Sequence, residues 1–185
     1  MKPRREGFTL LELITVAGIL SFLSIMITQI FFMTIQSNSK TEVTKEVKQN
    51  GEYAMEILSR FIQNAKSLQI ICDGTKQASI AVTNSDTVET VFGCTDLNGL
   101  AKIASTSALG TTYLTNDMVT LEKGGDIKCT AIPLTFTCTE VGGLPSSVTI
   151  AFSLRQQGTG QSAYEKAGVS FQSGVVIRNK SSGSY

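Results

Sequence analysis

Between Phe8 and Ile35 the chain carries one formal charge, Glu12, and no proline. Those 28 residues extend about 42 Å as a helix, against a bilayer hydrocarbon core of about 30 Å. A run this long and apolar predicts a membrane-spanning helix, because lipid offers the backbone no hydrogen-bond partners. It also poses a problem: one carboxylate sits five residues into the run.

Ahead of the run, residues 1–7 carry Lys2, Arg4 and Arg5. By the positive-inside rule this end stays cytoplasmic, and the chain beyond the span lies outside. An ordinary secretory signal has an apolar core of about 7–15 residues and then a small-x-small cleavage site. Here the core is much longer. A cut at Ser37-Asn38-Ser39 would discard the most distinctive part of the chain.

Beyond Ile35 the pattern becomes amphipathic. Val43, Val47, Ala54, Leu58, Phe61, Ile62, Ala65 and Leu68 recur at spacings of three, four and seven, a single apolar stripe at the helical period. Glu56 and Arg60 form a favourable i,i+4 pair, and Glu42 with Glu46 an unfavourable one. No proline interrupts Phe8 to Leu68. The expectation is one helix of about 60 residues and near 90 Å, apolar all round in its first half. Gly18 and Gly51 are its weak points, at about 1 kcal/mol each relative to alanine.

The remainder is rich in Thr, Ser, Gly and Val. Ala78–Val82 and Val88–Phe92 are strand candidates around Asn84-Ser85-Asp86. Thr112–Leu121 and Ile127–Thr137 flank Lys123-Gly124-Gly125-Asp126, which predicts a hairpin. Val148, Ile150, Phe152 and Leu154 alternate with small polar residues, as in a half-buried strand. Gln156–Ser162 reads as a loop, Val169–Arg178 as a last strand and Ser181–Tyr185 as a loose tail. The predicted class is α+β: a long N-terminal helix packed by its stripe on an antiparallel β-rich head.

The cysteines are Cys72, Cys94, Cys129 and Cys138, all in the β-rich part. An even count there suits two disulfides in an oxidising compartment; the alternative is buried free thiols. Three connectivities are possible. Cys72–Cys94 and Cys129–Cys138 are expected, each pair being nearest in sequence and separated by a turn signal.

Catalytic chemistry finds little footing. Histidine is absent, which removes the commonest general base and metal ligand at neutral pH. No Ser-His, Cys-His or G-x-S-x-G arrangement exists. Gly124-Gly125 and Gly142-Gly143 match no phosphate loop and read as turns. Asp96-Leu97-Asn98-Gly99 lacks the further ligands of a calcium loop and also reads as a turn. No metal, cofactor or enzyme activity is expected. The net charge of +1 gives no case for nucleic acid. Lys66, Lys76, Lys102, Lys123, Lys128 and Arg155 show no clustering and read as solvated surface charge.

Gly7-Phe8-Thr9-Leu10-Leu11-Glu12-Leu13, behind a basic leader and ahead of an apolar helix, resembles the processing site of type IV pilins and pseudopilins. The resemblance covers about 30 residues, in which leader, glycine, aromatic and acid stand in fixed order. It implies cleavage between Gly7 and Phe8 by a prepilin peptidase, N-methylation of Phe8, and retention of the apolar helix. It also implies a pilin-like fold. Its organisation would be a leader over 1–7, a membrane and filament-core helix over 8–35, and an amphipathic helix with an extracytoplasmic head over 36–185. Other pilin or pseudopilin subunits, an inner-membrane assembly platform and membrane lipid are the implied partners. The implied location is the inner membrane and then a pilus or pseudopilus. Many major pilins carry a proline further along this helix, where this chain has Thr28-Gln29. That departure, with a weak resemblance of Val169–Asn179 to the closing strand of minor pilins and J-type pseudopilins, points to a minor subunit.

Glu12 then acquires a physical role. A lone charge at the centre of a membrane helix costs roughly 2.5–3.5 kcal/mol on insertion scales, less near the helix start, where the dipole favours an anion. Cleavage would create an amine on Phe8, and Glu12 of one subunit would pair with Phe8 of a neighbour in a filament. The alternative is an acid satisfied within its own helix terminus, pairing with its own Phe8 one turn back; the other function reading is a monomeric membrane-anchored extracytoplasmic binding protein in which Glu12 is incidental.

Overall fold

The computed structural model describes residue 7 and residues 9–84, 86–140, 147–157 and 167–177. The expected leader over 1–6, Phe8 itself, Ser85, the Gly142-Gly143 turn, most of the Gln156–Ser162 loop, Arg178 and the tail lie outside them.

Helix α1 runs over Leu10–Gln63, 54 residues. The chain divides into two compact units, Met1–Ser39 and Lys40–Tyr185. In the first, α1 is exposed on every side, with Leu10 at 78%, Phe22 at 61% and Met33 at 68%. Its mean hydropathy reaches 2.3, and it is long and apolar enough to cross a membrane. In the second unit α1 has one buried face. Val47, Gly51, Ala54, Leu58 and Ile62 are buried, the stripe that the spacing predicts. Gly51 is a link in that stripe. The helix stops five residues short of Leu68. There the Lys66 N–H donates to the Thr83 carbonyl at 2.8 Å, which draws the chain into a sheet.

Ten strands follow. They are β1 (Ser67–Gln69), β2 (Asp73–Gln77), β3 (Ser79–Thr83), β4 (Glu89–Leu97), β5 (Leu100–Ser107), β6 (Gly110–Tyr113), β7 (Val119–Leu121), β8 (Leu134–Thr139), β9 (Ser147–Gln156) and β10 (Gly168–Val176). The first sheet has the order β1-β3-β4-β5-β6 and the second β10-β9-β8-β2, with β7 also pairing β9. All pairings between these strands are antiparallel. The fold is α+β, a long helix packed on a β-rich head. One core joins the helix to both sheets. Phe61 of α1 meets Phe92 of β4 edge to face at 5.1 Å, and Phe152 of β9 stacks with Phe171 of β10 at 5.2 Å.

Two tight turns carry their chemistry in the sequence. Asn98 (φ 53°) and Gly99 (φ 80°) close β4 onto β5 between the paired Leu97 and Leu100, the mirror-image turn that Asn-Gly favours. Gly124 and Gly125 also adopt positive φ, and Lys123 and Asp126 exchange backbone bonds of 2.9 and 3.1 Å across them.

The predicted hairpin around that second turn does not form. Thr112–Leu121 is broken between β6 and β7, and Ile127–Thr137 contains a 3-10 turn over Cys129–Ala131. β7 and β8 both pair with β9 rather than with each other. The long β9 offers both of them a common edge, which a local turn signal cannot convey.

The cysteine pairing is likewise corrected. Cys72 joins Cys138 and Cys94 joins Cys129, with Cα atoms 4.4 and 5.5 Å apart. The expected Cys72–Cys94 and Cys129–Cys138 pairs are absent. Cys72 precedes β2, which pairs β8 at Asp73–Thr139 and so lies beside Cys138. Cys94 is on β4 in the other sheet, and the Cys129 N–H donates to the Asp96 carboxylate at 3.1 Å. Sheet membership selects the partners, not sequence distance.

Candidate functional site: the helix N-terminus

The segment singled out by the sequence opens α1. Thr9 immediately precedes the helix, and its Oγ1 accepts the Glu12 N–H at 3.3 Å. The Leu13 N–H donates to the Thr9 carbonyl at 3.2 Å. Thr9 is thus the N-cap and Glu12 the third helical residue. Thr-x-x-Glu is the spacing of a capping box, a signal present in the sequence but masked by the pilin resemblance. An acid in the first turn also lies where the helix dipole favours negative charge.

The capping bond uses the backbone of Glu12, not its carboxylate. Among the described residues that carboxylate has neither a hydrogen-bond nor an ion-pair partner. Gly7 is exposed, with open space around its Cα. Phe8 lies outside the described residues, so Gly7 and Glu12 are the two placed members of the expected processing and assembly set.

Along the apolar segment, hydroxyls satisfy themselves. Ser21, Ser24, Thr28 and Thr34 each donate to the carbonyl four residues back at 2.8 Å. A polar side chain bonded in this way tolerates an apolar environment. Thr28 therefore leaves the helix unbroken, and Gln29 beside it is exposed.

In the head, the six basic residues read as surface charge separate. Lys102 is not surface charge: its side chain is 1% exposed. Its Nζ donates to the carbonyls of Asn116 and Val119, the latter at 2.9 Å, and lies 3.4 Å from the exposed Asp117 carboxylate. The loop it holds also donates the Asn116 N–H to Asn50 Oδ1 on α1 at 3.1 Å. Arg155 pairs with Glu122 at 3.5 Å. Lys76 and Lys123, far apart in sequence, line one trough. No cluster of metal-ligating side chains occurs among the described residues.

No family model, curated protein or solved structure matches this chain.

Proposed function

We propose that the protein is a structural subunit, a minor pilin or pseudopilin, of a type IV pilus or type II secretion-like filament. One observation carries most weight: a carboxylate without a partner among the described residues, at the third residue of a helix that carries no other charge in its first unit and is exposed there. A surface of that kind needs a cover, either lipid or neighbouring helices. The lone acid needs a cation within that cover. The amine that cleavage frees on Phe8 would supply it.

In this mechanism a prepilin peptidase cuts after Gly7 and methylates Phe8. The helix waits in the inner membrane with the head outside, as the basic leader directs. An assembly platform then passes it into a filament, where Glu12 and a neighbour's Phe8 set the axial register. The disulfide-closed head faces outward and suits an oxidising compartment.

The Thr9–Glu12 capping bond favours a second reading, because it gives Thr-x-x-Glu a purpose within a single chain. In that reading the protein is a monomeric membrane anchor for an extracytoplasmic binding head.

The N-terminal peptide of protein purified from membranes distinguishes them by mass spectrometry. A chain beginning at methylated Phe8 is the outcome for a filament subunit. A chain still beginning at Met1, from a host with an active prepilin peptidase, would sink the filament reading in favour of the anchor.

A further inference from the structure

The second sheet carries a trough of about 620 Å³ on its outer face, built from four of its five strands. Its floor is unusual for an exposed sheet face. Instead of long charged side chains it presents small ones, with Ala151 and Ser153 on β9 beside Ser170 on β10. The Ser153 and Ser170 hydroxyls are 2.8 Å apart. Gln172 stands two residues further along β10, opposite Ala151, and its amide has no partner among the described residues.

The rim differs from the floor. Lys76 and Lys123 line it with no ion pair among the described residues. Among the described lining residues the one acid, Glu122, is already paired with Arg155, so the two lysines are the charges left for a ligand. Ile132 completes the rim, 43% exposed, with φ 53° and ψ 63°. Left-handed backbone at a β-branched residue is costly. Such strain persists where the surroundings impose it, often at a binding surface. Here it presents an apolar side chain beside a polar floor.

From this arrangement we propose that the trough binds an acidic oligosaccharide. Uronate carboxylates would meet Lys76 and Lys123 in charge-assisted bonds. Sugar hydroxyls would exchange hydrogen bonds with Ser153, Ser170 and Gln172, and the C–H face of a ring would lie on Ile132. Of the two aromatic residues in the lining, Phe152 is buried and Phe171 stacks on it, which leaves little ring face for stacking a base. This proposal is independent of filament assembly, because it uses only the head.

The test is calorimetric titration of the full chain in detergent micelles. The probes are a galacturonic acid tetrasaccharide, a neutral galactose tetrasaccharide and a tetraglutamate peptide. Saturable uronate binding is expected, with the neutral sugar and the peptide each about tenfold weaker, roughly 1.4 kcal/mol. Lys76→Ala with Lys123→Ala, and separately Ser170→Ala with Gln172→Ala, should each weaken uronate binding by about tenfold. Lys128→Ala, at an exposed lysine outside the lining, should leave it unchanged. These positions lie on the surface, so circular dichroism should report a retained fold. Absence of saturable uronate binding overturns the proposal. So does equal binding of the peptide, or an equal loss in Lys128→Ala, either of which would mean unspecific attraction of anions.

Discussion

Gly51 of α1 faces the Phe171 ring of β10 so closely that a Cβ built on Gly51 would fall among the ring's Cε and Cζ atoms. As a helix residue, glycine costs about 1 kcal/mol relative to alanine. Here it allows the helix to approach the second sheet. Phe171 cannot easily withdraw, because its other face stacks on Phe152. Gly51→Ala should therefore lower the unfolding free energy by about 1–3 kcal/mol, the range for overpacking. On a Phe171→Leu background the same substitution should cost less, or gain its helix propensity. Denaturant titrations of the two singles and the double measure the coupling.

Lys102 ties the loop between β6 and β7 to β5. Lys102→Met keeps much of the volume but leaves the Asn116 and Val119 carbonyls without this donor, at about 1–3 kcal/mol for a buried unsatisfied group. Removing the buried charge offsets part of that. A net loss of about 1–2 kcal/mol is expected on that balance. Asp117→Ala should change stability by less than about 0.5 kcal/mol, since Asp117 is 90% exposed and exposed ion pairs contribute little. Comparable losses from both would mean that the ion pair, not the carbonyl contacts, holds the loop.

The disulfides are nested, with Cys94–Cys129 inside the segment closed by Cys72–Cys138. A non-reducing peptide map should recover the Cys72 peptide linked to Cys138 and the Cys94 peptide linked to Cys129. A Cys72–Cys94 link would contradict the sheet assignment of the strands. Replacing either bridge by alanines should cost about 2–4 kcal/mol.

Thr9 and Glu12 separate capping from assembly. Thr9→Val removes the capping bond to the Glu12 N–H, at about 1 kcal/mol of helix stability, and should leave filament incorporation largely intact. Glu12→Gln keeps the backbone cap but removes the charge that would meet Phe8 of a neighbour. An unpaired charge in an apolar core often costs about 3–5 kcal/mol. Filament incorporation, scored by immunoblot of sheared filaments, should then fall by about tenfold or more. Normal incorporation of Glu12→Gln would remove the assembly role.

Local patterns placed much of this architecture. The long apolar run, the stripe from Val43 to Ala65 and the alternation in Val148–Leu154 each follow from a repeat that sequence states directly, 3.6 for a helix and 2 for a strand. The Thr-x-x-Glu box and the Asn98-Gly99 turn were equally local. At the helix N-terminus the positions of Gly7 and Glu12 follow from chain order alone.

The remaining features depended on which elements became neighbours. Cys72 and Cys138 are 66 residues apart, and only the pairing of β2 with β8 brings them together. Lys102 looks like any surface lysine until the chain beyond β6 supplies carbonyls above it. Gly51 looks like a helix defect until Phe171 arrives from β10. Lys76 and Lys123 share a trough only because two distant segments meet at one sheet. Sequence by itself determined the period of each element, the capped start of the helix and its lone acid, since these are properties of adjacent residues. The tertiary structure alone decided the disulfide partners, the buried lysine and the trough, since non-local contacts depend on strand order, which no local repeat encodes.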